Sequence, residues 1–370
     1  MILKKLKRRL SDSFFLRTRG CLVRCACVVL LGAIGGQTGW AQPVQEITQI
    51  VPTAGKLYYI RHQDMIWQTR QYRVFVATPR SAPADKRMPA ALYVLDGNAQ
   101  FPLAINAIDE KWTAMSGNAQ LSASLPVIVG LGYPEAKAYP LAARTRDYTY
   151  AAPGEAFAAG GGAANFYDFV SSQVIPYIEK QYATDPEHQI LSGHSFGGLF
   201  ALYVLLNHPD AFDHYVIGSP SLWWGNGSIV NNAQALAAQR RTGSMFVRDS
   251  AAIDTAAIDR GVIDRGVIDK DAFAYNDKDG LSVTILQGEY EENPRADPNI
   301  TPERLARIQK RNNNKQVTAR QLDDWLREQG VDSQFMLVAR ANHGGVIPAV
   351  IEAAVQRALE NKAGRENKNK

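Results

Sequence analysis

The sequence predicts an α/β fold with a mainly parallel central sheet flanked by helices, and three observations carry that prediction. Short apolar strands alternate with helical segments along residues 42–360. Residues 90–95 and 127–131 are nearly continuous apolar runs, the pattern of strands covered on both faces. A glycine-rich stretch, Gly193-His194-Ser195-Phe196-Gly197-Gly198, stands between a short strand and an apolar helical segment.

In chain order, the N-terminus comes first and separates from the rest. Lys4, Lys5, Lys7, Arg8, Arg9, Arg17 and Arg19 precede an apolar run over 25–34, and Gly39-Trp40-Ala41 puts small residues at positions −3 and −1 of a cut after Ala41. This is the layout of a secretory signal peptide over residues 1–41, with Arg8-Arg9 hinting at a twin-arginine route. The apolar run is too short to span a bilayer and Arg24 precedes it, so no stable membrane anchor is expected once the peptide is cut. A periplasmic or secreted location follows. The segment holds eight of the 41 Lys+Arg and one of the 36 Asp+Glu; the remainder carries 33 basic against 35 acidic residues, a net of −2. The overall excess of positive charge therefore belongs to the leader, and no nucleic-acid partner follows from it. Cys21, Cys25 and Cys27 are the only cysteines, so a thiolate nucleophile, a disulfide framework and a cysteine-ligated metal are excluded from the remainder.

Strands are predicted over 57–61, 72–77, 90–95, 127–131, 189–191, 215–218, 281–286 and 334–338, and helices over 165–181, 196–206 and 346–359. The 42–360 domain is interrupted by an oddity. A five-residue unit repeats four times from Ala252 to Asp271, too short to build a stacked core, and reads as a surface loop inserted at about 250–272, before the penultimate strand. Residues 361–370 form a charged tail.

The chemistry is carried by a few positions. Gly193-His194-Ser195-Phe196-Gly197 fits G-x-S-x-G in the strand–turn–helix setting that pattern needs, and makes Ser195 the candidate nucleophile of an α/β-hydrolase fold. A serine needs a base, and in this fold the partners follow in the order serine, acid, histidine. Downstream stand His208, His214 and His343; only His343, in Ala341-Asn342-His343-Gly344-Gly345, lies between the last strand and the closing helix. The acid belongs after the penultimate strand, where Gln287-Gly288-Glu289-Tyr290-Glu291-Glu292 offers three carboxylates; Glu291 is favoured, Glu289 is second, and a Ser–His dyad is the alternative. For the oxyanion, the Phe196 amide is one candidate donor, and the turn Asp96-Gly97-Asn98-Ala99 supplies the other from Asn98, or from Gly97.

These residues carry a resemblance. Tyr93-Val94-Leu95-Asp96-Gly97, Arg144-Thr145-Arg146-Asp147-Tyr148-Thr149, Gly218-Ser219-Pro220-Ser221-Leu222-Trp223-Trp224 and Asn342-His343-Gly344, with the Ser195 motif, resemble the esterase D-like family of α/β hydrolases over roughly residues 47–359, and look most like its periplasmic siderophore-esterase branch. Family members often carry the acid in a Gly-x-x-Asp/Glu pattern, which Gly288-Glu289-Tyr290-Glu291 fits; the pentapeptide insertion departs from the family pattern. The resemblance implies hydrolysis of the trilactone esters of a catecholate siderophore, without metal or organic cofactor, any iron arriving with the substrate. Arg144 and Arg146 would then meet catecholate or anionic oxygens, and Trp223 and Trp224 would stack on the rings. The alternative substrates are feruloyl or acetyl esters of carbohydrates or small alcohols, and the rival classes are an acyltransferase and a catalytically dead binding protein. Nothing in the pattern sets an oligomeric state.

Overall fold

A short helical turn, α1 (Ala54–Leu57), leads into an antiparallel hairpin of two long strands, β1 (Tyr58–Trp67) and β2 (Arg70–Pro79). From there strands and helices alternate: β3 (Ala91–Leu95), α2 (Gly97–Ala114), β4 (Val127–Gly132), α3 (Leu141–Tyr148), α4 (Ala163–Phe169), α5 (Ile175–Tyr182), β5 (Gln189–His194), α6 (Phe196–Asn207) and β6 (His214–Gly218). The chain closes with β7 (Ser282–Gly288), α7 (Glu289–Glu292), α8 (Pro302–Asn313), α9 (Ala319–Glu328), β8 (Asp332–Val338) and α10 (Ile347–Leu359). This computed structural model describes residues 46–81, 89–114, 125–230 and 280–360. The expected signal peptide, the repeat-bearing insertion and the charged tail lie outside those residues.

The strands form one sheet in the order β1-β2-β4-β3-β5-β6-β7-β8. β2 pairs antiparallel with both β1 and β4; every later pairing is parallel. Every residue of β3, β4, β5, β6 and β7 is buried, because helices cover both faces and leave no polar-facing side. Leu92, Val94, Ile190 and Val216 share one core cluster with Phe101, Ile105 and Ile108 of α2 and Val350, Ile351 and Val355 of α10. The alternate residue Leu95 faces the other way, toward the first turn of α6. This sandwich holds the carboxyl ends of the parallel strands level, which is where open α/β sheets carry their sites.

Two helical regions depart from the sequence reading. The helix expected over 165–181 is α4 and α5 joined by a π-turn, Val170–Val174. Pro176 supplies no N–H to the ladder just beyond that turn, and the Ser172 hydroxyl donates to the Asp168 carbonyl within it. The oxyanion-turn candidates Gly97 and Asn98 are not loop residues but the first two of α2. α8 and α9 carry no continuous apolar run that the strand-and-helix pattern could register; α9 is held by a Thr318–Gln321 capping box and buries Leu322, Trp325 and Leu326.

Candidate active site

Strained backbone collects at one rim of the sheet. Asp96, Ser195 and Ser219 immediately follow β3, β5 and β6, Arg340 follows β8, and these non-glycine residues have φ of 53°, 62°, 39° and 54°. Such conformations cost free energy for an L-residue and persist where surrounding contacts over-determine them.

Ser195 is the sharpest of these turns, with φ 62° and ψ −114°. Its N–H donates to the Gly218 carbonyl at 2.9 Å, and its own carbonyl accepts from Ser221 at 3.1 Å and Leu199 at 2.9 Å. The turn is tight enough that a Cβ on Gly193 would lie 2.5 Å from the Gly197 backbone, which is why that position admits no side chain.

Three loops then meet. The Ser195 hydroxyl lies 3.0 Å from His343 Nε2. His343 Nδ1–H donates to Glu291 Oε2 at 2.6 Å. Glu291 Oε1 accepts from the Ser219 hydroxyl at 2.5 Å and from the Gly288 N–H at 3.1 Å. Burial pushes the Glu291 carboxyl up, but the neighbouring His343 and the hydrogen bonds from His343 and Ser219 outweigh it and bring it down to about 2. Glu289, the second choice, turns elsewhere: its Oε2 accepts from the Arg340 N–H at 2.7 Å and braces the turn after β8.

His194 lies beside this chain, its ring centroid 4.6 Å from that of His343. Its Nε2–H donates to the His343 carbonyl at 2.7 Å. Burial, with the adjacent His343, lowers its pKa to about 3, so the ring is neutral. His194, Ser219 and Ser221, whose Oγ is 3.4 Å from that of Ser195, are site residues that sequence reasoning did not single out. Two of them sit inside the Gly-Ser-Pro-Ser stretch already noticed for its resemblance, the signal that could have found them.

The other expected residues divide. Phe196 opens α6, where first-turn N–H groups have no intrahelical acceptor. Asn98 stands in the first turn of α2; its side chain donates to the carbonyls of Tyr133 and Glu135 and accepts from the Tyr133 N–H, tying the end of β4 to that turn. Asp96 brings the two first turns together: a Cβ on Gly197 would lie 3.5 Å from its carboxylate. Arg144 lies inside the fold. Its Nε and Nη2 donate to the Asp96 carboxylate at 2.8 and 2.9 Å, and its Cζ lies 5.4 Å from the Phe196 ring. Arg146 likewise grips Asp147 with both arms, at 2.8 and 2.6 Å. Trp224 is buried, its indole N–H donates to the Tyr150 carbonyl, and its ring packs edge-on against Phe157 and Phe196. Each of these three side chains has a hydrogen-bond partner within the chain, a placement that the sequence pattern did not announce.

Trp223 differs. It lines a cleft together with Ser219, Ser221, Glu291 and His343. The far wall of that cleft is α8, presenting Arg304, Arg307 and Arg311, with Lys315 just beyond the helix. No group of three or more His, Cys, Asp or Glu among the described residues is arranged to hold a metal ion, and no described helix is long and apolar enough to cross a membrane.

Comparison with known proteins agrees with this geometry. The ferri-bacillibactin esterase BesA of Bacillus subtilis is 34% identical over 172 residues, 44% of this chain and 58% of that protein. A siderophore triacetylfusarinine C esterase of Aspergillus fumigatus is 34% identical over 153 residues, 40% of this chain and 50% of the relative. The chain thus spans about half the length of the curated relatives it matches. Among solved structures, the siderophore hydrolase EstA of Aspergillus nidulans superposes with a TM-score of 0.60 at 21% identity, covering 85% of this chain and 98% of that one; a likeness of that kind establishes the fold. Residues 68–328 match the sequence model of the family described as "Putative esterase", and with the α/β-hydrolase sheet and the strained serine turn, the chain belongs to that esterase family.

Proposed function

We propose that this chain is a serine carboxylic-ester hydrolase that cleaves the ester bonds of siderophores through an acyl-enzyme on Ser195. The observation that carries the reading is the unbroken hydrogen-bonded series from the Ser195 hydroxyl through His343 to a Glu291 that stays ionised down to about pH 2.

In this mechanism His343 Nε2 takes the proton of the Ser195 hydroxyl as the oxygen attacks the ester carbonyl. The new negative charge on the carbonyl oxygen is met by the Phe196 and Asn98 amides, each in the first turn of a helix. Glu291 holds the tautomer in which Nε2 is free to accept, and stabilises the imidazolium that forms. The imidazolium returns its proton to the leaving alkoxide, giving the alcohol and the acyl-Ser195 ester. Water then attacks that ester while His343 removes its proton, and collapse releases the carboxylic acid and regenerates the serine. The siderophore assignment is supported by family membership and by relatives named for siderophore esters. Export with cleavage after Ala41 belongs to the same reading, supported by the basic, apolar and small-residue order of residues 1–41.

The test is hydrolysis of an iron-loaded catecholate trilactone, p-nitrophenyl acetate and methyl ferulate by the purified protein and by Ser195→Ala. Trilactone cleavage that falls on the order of 10³-fold or more in Ser195→Ala is expected. Turnover of only the simple esters would move the substrate to small or carbohydrate acyl esters, and turnover that survives Ser195→Ala would remove the serine mechanism.

A further inference from the structure

The turn after β6 touches both ends of the hydrogen-bonded series. Pro220 separates two serines there and fixes its own φ, which stiffens the bracket Ser219-Pro220-Ser221. The Ser219 hydroxyl donates to Glu291 Oε1. Ser221 serves the other end: its Oγ lies 3.4 Å from Ser195 Oγ, which is the one hydrogen-bond partner of that hydroxyl among the described residues. Its backbone is clamped to the same turn. The Ser221 N–H donates to the Ser195 carbonyl at 3.1 Å, and the Ser221 carbonyl accepts from the Trp224 N–H at 3.0 Å. A Cβ on Gly198 would lie 3.2 Å from Pro220 Cα, so the first turn of α6 seats directly against the bracket. Ser221 is only 3% exposed, yet it lines the cleft beside His343.

The tautomer of His343 decides which serine donates. Nδ1–H is committed to Glu291, which leaves Nε2 as an acceptor, and the Ser195 proton fills it at 3.0 Å. A hydroxyl has one hydrogen to give. The contact between the two serines therefore takes its hydrogen from Ser221 and its lone pair from Ser195. At 3.4 Å that bond is long for two neutral hydroxyls. An O–H that donates to a negative oxygen draws in to about 2.5–2.7 Å and roughly doubles in strength. The Ser221 contact thus gains little in the resting enzyme and much once Ser195 Oγ carries charge. Interactions that strengthen in the transition state are the ones that accelerate a reaction.

We propose that Ser221 is a further catalytic residue, whose hydroxyl donates to Ser195 Oγ while that oxygen carries negative charge. The proposal rests on Ser195 being the nucleophile and on no particular ester. In acylation His343 Nε2 removes the Ser195 proton, a lone pair of Oγ forms the new C–O bond, and Ser221 shares the charge on Oγ before that bond is complete. In deacylation the same C–O bond breaks, its electron pair returns to Oγ, and the proton comes back from the His343 imidazolium. Ser221 keeps its own proton throughout. Its effect falls on the oxygen of the nucleophile, so it is independent of the leaving group and of the shape of the electrophile.

The experiment compares the native protein with Ser221→Ala and Ser221→Thr on three electrophiles: kcat/KM for p-nitrophenyl acetate and for phenyl acetate, and the second-order rate at which a fluorophosphonate labels Ser195. Ser195→Ala is the blank, and melting temperatures are recorded alongside. Ser221→Ala is expected to slow all three reactions alike, by about tenfold or more, as the loss of one hydrogen bond to a charged oxygen requires. Its melting temperature should not change, because both backbone clamps remain. Ser221→Thr keeps the hydroxyl and should stay within about threefold of native. Less than about threefold loss in Ser221→Ala would overturn the proposal. So would a loss on one electrophile and not the others, which would make Ser221 a wall of the substrate cleft, or equal losses in both variants, which would make its packing the cause. No reaction in the native protein, or reaction that persists in Ser195→Ala, would remove Ser195 as the nucleophile and this proposal with it. None of the three electrophiles is a siderophore, so the substrate assignment above stands or falls separately.

Discussion

Arg144 and Arg304 have surroundings with little in common. Arg144 is buried, with both arms on Asp96, under the turn that joins β3 to α2. Arg304 is half-exposed, on a helix with no fully buried residue, and lines the cleft beside Arg307 and Arg311. Burying the Asp96 charge next to the serine turn demands a counter-charge, and Arg144 supplies it in the bidentate geometry that a guanidinium suits. An arginine that meets a carboxylate inside the fold is part of the framework.

The largest effect should come from the two glutamates that follow β7. Glu291→Gln is expected to lower kcat on the order of 10³-fold, because an amide can favour the wrong His343 tautomer and no longer stabilises the imidazolium. Glu289→Gln, which loses only a brace on the Arg340 turn, is expected to change kcat by less than about threefold, and equal losses in steady-state kinetics would erase the distinction drawn between them. Next comes stability. Arg144→Gln leaves Asp96 buried without its partner and is expected to destabilise by about 3–5 kcal/mol in denaturant titration, whereas Arg304→Gln should stay within about 0.5 kcal/mol. Similar losses at both positions would mean that α8 is a structural wall after all.

Ser219→Ala is expected to lower kcat by about tenfold with KM nearly unchanged, since it removes a hydrogen bond to the charged acceptor that orients His343 and touches no other reacting group. The smallest effect is a slope. The folded pKa of His194 is lowered from 6.5 to about 3. As pH falls below about 6.5 the unfolded chain takes up a proton that the native state refuses, so this contribution to stability is full above that pH and drains by at most ~1.4 kcal/mol per unit toward pH 3. Glu291 adds a loss of the same sign, but only below its unfolded value of 4.5. His194→Asn should therefore flatten the stability profile between about pH 4.5 and 6.5 in urea melts, and an unchanged profile would contradict the neutral, buried ring.

What the sequence makes legible is whatever a local pattern encodes. The five interior strands appear as apolar runs because both their faces are covered. The order serine, glutamate, histidine can be read from the strand ends on which those residues stand. Arg144 and Trp224 are legible as members of a motif but not in their roles, since their partners, Asp96 and the Tyr150 carbonyl, lie 48 and 74 residues away. Ser219 and His194 act through contacts across 72 and 149 residues, and no spacing announces those. α8 went unread for a different reason: helices are sought by their apolar face, and here that face is little more than half-buried Leu305 and Ile308, although Arg304, Arg307 and Arg311 carry the helical period openly.

The shallow packing of α8 has a practical consequence. The exposed positions of α8, unlike half-buried Arg311 and Asn312, can be rewritten with little effect on the sheet, so that part of the helix behaves as an exchangeable cassette. Replacing exposed Arg307 and half-exposed Arg304 with glutamates or with small apolar residues should redirect the same nucleophile toward cationic or greasy esters, giving enzyme engineers a dial for substrate choice that leaves the strained turns themselves untouched.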